Sequence, residues 1–241
     1  MLNIHSIETF GTHEGPGIRL VVFLQGCNFR CLYCHNPDTR LLKGGKLMKS
    51  GEIIELLKKQ KPYFKDNGGL TISGGEALLQ RRGLLDLFIK AKKAGFNTCL
   101  DTNGSILDET AKKLLEKTDL VLLDVKHIDP IWHQTVTQTS NESVLQFAKY
   151  LEKIAKPMWL RYVLVPGYTN QKEFLHQWGA YFAKYENIQR VEILPFHTYG
   201  FYKYKELGIK NPLEDCPVPT KEEIKEAYDI FKQYFKSVYI R

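Results

Sequence analysis

Residues 18–35 read IRLVVFLQGCNFRCLYCH. The first seven are apolar almost without interruption and β-branched at three positions, the pattern of a strand covered on both faces. The run then stops at a Gln-Gly pair and gives way to three cysteines, Cys27, Cys31 and Cys34, spaced C-x3-C-x2-C. A buried strand that opens into a polar, chemically distinctive loop is the signature of a parallel α/β sheet, whose sites lie at the carboxyl ends of its strands.

The same grammar recurs along the chain. Apolar runs at 70–73, 98–101, 120–125, 159–165 and 191–195 alternate with helix-period segments at 51–61, 78–94, 107–117, 143–155, 172–185 and 221–235. Strand then helix, about six times over, predicts parallel strands joined by right-handed crossovers. A (β/α) barrel and a doubly wound open sheet both satisfy the pattern, and six units would leave a barrel incomplete. No low-complexity tract or Ser/Gly-rich linker interrupts it, so residues 1–241 read as one domain. Residues 197–219 are loop-like, aromatic and basic.

All but the fifth of the apolar runs end in a group suited to chemistry. SGGEA (73–77) follows the second, DTNG (101–104) ends the third, DVKH (124–127) the fourth and PFH (195–197) the sixth. Five strand ends thus carry polar residues toward one face.

Composition narrows the function. The 241 residues are 43% hydrophobic, enough for a sizeable core, and no apolar run is long enough to span a membrane. Five cysteines, three of them clustered, suit thiol chemistry in a reducing cytoplasm better than a disulfide framework. Cys99 lies in an apolar strand and Cys216 beside a proline, so neither extends the cluster. The net charge of +7 comes from lysines spread along amphipathic segments. That distribution reads as solvated helix faces and an acidic protein partner rather than nucleic acid.

The cysteine triplet is one ligand short of a closed site. Soft thiolates suit zinc and iron–sulfur centres alike, so residue type alone leaves the metal open. His35, adjacent to Cys34, is a cramped fourth ligand. Three thiolates on a [4Fe–4S] cluster would leave one iron with an open coordination position.

With the aromatic Tyr33 before the last cysteine and GGE after the next strand, the chain resembles the radical S-adenosylmethionine (SAM) enzymes. It is most similar to those that activate glycyl radical enzymes such as pyruvate formate-lyase. The segments GTHEGPGIRLVVFLQGCNFRCLYCHNPDT (11–39), SGGEALLQ (73–80), CLDTNG (99–104), DLVLLDVK (119–126), WLRYVLVPG (159–167) and ILPFH (193–197) carry the resemblance across nearly the whole chain.

The resemblance implies a partial (β/α)6 TIM-like barrel of the radical SAM type. Cys27, Cys31 and Cys34 would ligate a [4Fe–4S] cluster whose open iron takes the methionine end of SAM. Reductive cleavage would give a 5′-deoxyadenosyl radical that removes a hydrogen atom from a backbone glycine of pyruvate formate-lyase. Tyr33, Cys34 and His35 resemble the loop along the adenine, and Gly74 and Gly75 the pair beside the methionine amino group, with Glu76 ordering their loop. Asp124, Val125 and Lys126 match a further SAM-contacting strand end, with Lys126 the cation for the carboxylate, and His197 the ribose contact. Asp101, Thr102 and Asp124 match a site for a monovalent cation, Na+ or K+. Glu14, where relatives carry aspartate, and Arg161 match positions near the incoming peptide. A flavodoxin- or ferredoxin-type electron donor, a monomeric state and a place in anaerobic glucose metabolism are implied with them. So is the absence of nucleic-acid and membrane partners.

Overall fold

The computed structural model describes residues 1–241, which fold as two compact units, Met1–Asn28 with Thr39–Leu122, and Phe29–Asp38 with Leu123–Arg241.

In the first unit the strands are β1 (Leu2–Gly11), β2 (Arg19–Leu24), β3 (Lys46–Met48), β4 (Gly69–Gly74), β5 (Asn97–Thr102) and the start of β6 (Leu120–Asp124). Their order is β3-β1-β2-β4-β5-β6. The strands β2, β4 and β5 are parallel, and the β2/β4 register runs from Arg19↔Gly69 to Leu24↔Gly74. That register decides the site, because it brings the residues after Leu24 and after Gly74 out side by side. The crossovers are α1 (Ser50–Gln60), α2 (Arg81–Lys93) and α3 (Glu109–Glu116). Asp108 starts α3 by accepting the Ala111 amide at 2.9 Å, satisfying one of the orphan donors of a helix start. Arg19 is a buried cation held by neutral groups: Thr71 Oγ1, Asn97 Oδ1 and the carbonyls of Pro16, Asn67 and Leu70.

The second unit holds the end of β6, then β7 (Met158–Leu164), β8 (Ile188–Pro195) and β9 (Val238–Ile240), with β7, β8 and β9 parallel. Its helices are α4 (Pro130–Thr137), α5 (Glu142–Lys153), α6 (Lys172–Phe182), α7 (Phe201–Glu206) and α8 (Lys221–Lys232). Thr220 and Glu223 form a capping box at the start of α8, each side chain bonding the other's amide at 3.1 and 2.7 Å. Trp178 is the centre of the packing. Its ring lies 4.9 Å from Phe182 and Phe231 and 5.5 Å from Tyr162.

All six anticipated strands are present as β2 and β4 to β8. Three more were not anticipated. β1 is antiparallel to β2 and carries two register shifts, and its burial does not follow a clean alternation. A polar, bulged strand of that kind has no period-2 signature to read. β3 and β9 have three residues each. The segment read as loop after His197 contains α7, and Asp129 with Pro130 starts the unanticipated α4, where the Asp129 carboxylate accepts the Ile131 and Trp132 amides at 2.9 Å. No helix is long and apolar enough to cross a membrane.

Candidate active site

In the first unit, the ends of β2 and β4 are joined by backbone. Gly75 N–H donates to Leu24 O at 2.9 Å and Glu76 N–H to Gly26 O at 2.8 Å. A Cβ on Gly75 would lie 2.1 Å from Gly26 O and 3.1 Å from Cys27 N. On Gly74, at φ +114, it would lie 2.2 Å from Leu24 N. The glycine pair is therefore set by main chain meeting main chain immediately before Cys27, where any side chain would force the strands apart. Cys27 N–H in turn donates to Arg40 O at 3.2 Å.

Glu76 is completely buried. Its carboxylate accepts Leu78 N–H at 2.8 Å, the Thr102 hydroxyl at 2.6 Å and Asn103 N–H at 2.7 Å. Desolvation pushes its pKa up to about 7, against the pull of those three donors. The residue thus ties the end of β4 to the end of β5. Next to it, Ser73 Oγ donates to Asp101 Oδ2 at 2.6 Å, and Thr102 Oγ1 also accepts Gly104 N–H at 3.0 Å. Asn103 donates to Asn28 Oδ1 at 3.1 Å and Asn28 to Ser105 Oγ at 2.8 Å. These asparagines fasten the residue after Cys27 to the β5 loop, a role the sequence signals only as an Asn in each of two motif loops. Glu14 lies in the β1–β2 connection, its carbonyl accepting Thr71 Oγ1 at 2.6 Å.

In the second unit, the cysteine loop is pinned to α4: Arg30 N–H donates to Thr137 O and Leu32 N–H to Val136 O, both at 2.9 Å. Tyr33 is buried with Val136, Val163, Val165, Phe196 and Leu213, and Cys31 packs against this cluster. Burial, then the charges of Cys31 and Asp124, holds the Tyr33 phenol well above its ordinary range. Lys126 Nζ stands 2.7 Å from Asp124 Oδ2 and 5.8 Å from the Tyr33 ring centre. Val125 N–H donates to Arg161 O at 3.3 Å.

His35 stacks on His197 with ring centres 3.9 Å apart, and its Nε2 donates to His197 O at 3.0 Å. Burial, then the neighbouring imidazole, pushes the His35 pKa down to about 4, so the ring is neutral at physiological pH. The short α7 backs this loop. Tyr204 OH donates to Cys34 O at 2.9 Å, Lys203 Nζ reaches Asn36 Oδ1 at 2.8 Å and Asp38 Oδ2 at 3.1 Å, and a Cβ on Gly200 would lie 2.7 Å from His35 O. Nothing in the tyrosine- and lysine-rich sequence of α7 announced that contact. His127, by contrast, is core. Its Nδ1 accepts Asp129 N–H at 3.0 Å and its ring packs on Phe174 at 4.8 Å.

Arg161 is buried on β7, and its Nε donates to Glu192 Oε2 at 3.2 Å.

The donors suit an iron–sulfur cofactor. The three loop cysteines form no disulfide, and each is partly accessible. Three thiolates, a bare glycine backbone and a lysine are the residue types that a cluster with one open iron and a bound amino acid would use.

Residues 21–178 match the family model of the Radical SAM superfamily. The chain is 46% identical to the pyruvate formate-lyase-activating enzyme of Streptococcus mutans serotype c, over 93% of this chain and 88% of that one. It is 42% identical to the protein of the same name in Staphylococcus aureus, over 94% and 93%. Among solved structures it is similar to a domain of pyruvate-formate lyase-activating enzyme from Bacteroides vulgatus, with a TM-score of 0.62, 22% identity and coverage of 72% of this chain and 99% of that one. It is also similar to Streptococcus suis SuiB bound to precursor peptide SuiA, with a TM-score of 0.68, 15% identity and coverage of 98% and 50%. These two likenesses speak to fold, and with the strand order they bear out the open, partial TIM-like (β/α)6 barrel.

Proposed function

The chain belongs to the radical SAM superfamily and, within it, to the pyruvate formate-lyase-activating enzymes, and from that premise we propose how its own residues carry out the activation. When bound, a [4Fe–4S] cluster and SAM supply a one-electron reductive cleavage giving a 5′-deoxyadenosyl radical, which takes a hydrogen atom from a backbone glycine of pyruvate formate-lyase.

Cys27, Cys31 and Cys34 would hold the cluster, three thiolates for its four irons. Gly74 and Gly75 offer bare backbone to the methionine amino group, and Glu76 fixes that backbone against β5. Lys126 exchanges its pairing with Asp124 for the methionine carboxylate, with Val125 beside it. Tyr33 and His35 border the adenine and His197 the ribose. The neutral His35–His197 stack presents flat apolar surface there, the kind on which a purine rests.

A monovalent cation, Na+ or K+, with Asp101, Thr102 and Asp124 belongs to the same proposal; hard oxygen donors at strand ends support it. So do Glu14 and Arg161 as peptide contacts, a flavodoxin- or ferredoxin-type electron donor, action as a monomer in the cytoplasm, and service to anaerobic glucose metabolism. Residues 1–241 acting as one radical SAM domain is supported by relatives that align over 93–94% of the chain.

The reading is carried by Gly75, packed where only hydrogen fits against the backbone leading into Cys27. Anaerobic reconstitution with iron and sulfide, then incubation with pyruvate formate-lyase, SAM and a strong reductant, tests it. The expected result is roughly four irons and four sulfides per chain and a glycyl radical signal by electron paramagnetic resonance. Cys31→Ala retaining iron and full SAM cleavage would overturn it.

A further inference from the structure

Side chains two apart on a strand share a face. Arg161 therefore lies on the face of β7 that carries Val163, which with Val165 just beyond the strand packs with Tyr33 of the cysteine loop. Tyr162, on the other face, packs on Trp178 of α6 and Phe231 of α8. Arg161 is thus a buried cation about 7 Å down the strand from the residues that back the cysteine loop.

Glu192 holds it there. It is the direct partner of Arg161 in the β7/β8 register and is wholly buried. One oxygen, Oε2, accepts Arg161 Nε at 3.2 Å, while Oε1 accepts Arg190 Nη1 at 3.3 Å and Arg241 Nε at 3.0 Å. Arg190 is itself clamped between the rings of Trp159 and Tyr239, at 4.0 and 4.1 Å. With Oε1 anchored by two guanidinium groups, the carboxylate plane is fixed, and with it the side from which Arg161 is gripped. Glu192 takes Arg161 through Nε, and a guanidinium is planar, so this one contact also orients its terminal nitrogens. Buried ion networks of this kind are weak sources of stability, since desolvation consumes most of what the charges return. Geometry is the better account of it.

We propose that Glu192 is a positioning residue, which acts through Arg161 to set capture of the partner's glycine-bearing peptide and takes no part in SAM cleavage. This rests on Arg161 being a peptide contact, as above.

The test uses the reconstituted holoenzyme and a synthetic peptide spanning the glycine loop of pyruvate formate-lyase. Two rates are measured: glycyl radical formation as a function of peptide concentration, and SAM cleavage without peptide. Glu192→Gln, and Glu192→Asp in case the uncharged variant does not fold, are expected to raise KM for the peptide about tenfold while peptide-free cleavage stays within about twofold of wild type. Arg161→Lys, which keeps the charge and loses the fork, is expected to raise KM as well, and combining it with Glu192→Asp should add little. If Arg161→Lys raises KM and the Glu192 variants do not, Glu192 is a structural residue only and the proposal falls. An unchanged KM in Arg161→Lys overturns the reading of Arg161 itself. A parallel loss of both rates in the Glu192 variants also overturns the proposal.

Discussion

The carboxylate of Glu76, one residue beyond the glycine pair at the end of β4, accepts the hydroxyl of Thr102 at the end of β5 at 2.6 Å, with no solvent access. Its folded pKa stands at about 7, above the ordinary 4.5, because burial disfavours the anion. The folded state therefore holds the proton more tightly than the unfolded chain. The associated stability is complete below pH 4.5 and is lost as pH rises through about 7. Relative to Glu76→Gln, which does not titrate, wild-type stability should fall by up to about 3 kcal/mol between pH 4 and pH 8. Urea unfolding of both proteins across that range checks it, and a difference that is flat or grows with pH refutes it.

Gly75→Ala and Gly95→Ala separate a packing constraint from a backbone one. At Gly75 the added methyl meets Gly26 O at 2.1 Å, a contact with main chain that cannot swing aside. At Gly95, φ is +79 and nothing lies within 4 Å. Gly95→Ala should cost about 1 kcal/mol through its left-handed backbone and leave iron loading as in wild type. Gly75→Ala should lower stability by about 1–3 kcal/mol and also displace the backbone leading into Cys27, so that reconstituted iron and SAM affinity both drop. Iron assay and SAM binding distinguish the two, and equal iron loading would show that the glycine pair does not set the cysteine loop.

The contrast between these glycines also marks what the sequence could show. Strands β2 and β4 to β8 were legible because short, continuous apolar runs bounded by glycine and polar loops suit a strand buried on both faces, and the strand-end rule then gathered SGGEA, DTNG and DVKH. The function of Glu76 was half legible: its motif pointed to the loop, but only the β4–β5 geometry reveals that it bridges to Thr102 and Asn103. Tyr204 and Glu192 were not legible. Tyr204 reaches Cys34 across 170 positions of sequence, and Glu192 binds Arg161 across 31. Such contacts depend on side-chain direction and register, which periodicity does not encode. β1 was hidden because its bulges break the alternation by which strands are recognised.

Tyr204→Phe removes the one side-chain donor that α7 gives to Cys34 O. The loss should cost about 0.5–1.5 kcal/mol, a small change in the unfolding midpoint. Because the lost bond restrains the backbone of a cysteine, the larger effect is expected on the cluster, as faster iron release to a chelator under anaerobic conditions. Release at the wild-type rate would show that α7 does not brace the loop.

His127 offers the opposite pH signature to Glu76 in the same experiment. It is fully buried against Phe174 and Trp132, and burial pushes its pKa from 6.5 down to about 4. Its Nδ1 accepts the Asp129 amide, so the ring is held neutral with that nitrogen unprotonated. A depressed base binds its proton more weakly when folded than when unfolded. The stability it contributes is complete above pH 6.5 and is lost as pH falls through about 4. Nearby His133 is pushed down by burial as well, so a second group acts in the same direction. In His127→Phe the ring is replaced by one of similar shape that cannot titrate, at the fixed cost of an acceptor for Asp129 N–H. The stability of wild type relative to His127→Phe should therefore rise by up to about 3 kcal/mol from pH 4 to pH 6.5 and be constant above. Taking each difference against its own variant cancels the groups that do not interact with the substituted residue, and His133 acts with the same sign as His127, so the two curves must slope in opposite directions through pH 5 to 6.5. Two curves of the same sign would mean that desolvation does not govern one of these buried groups.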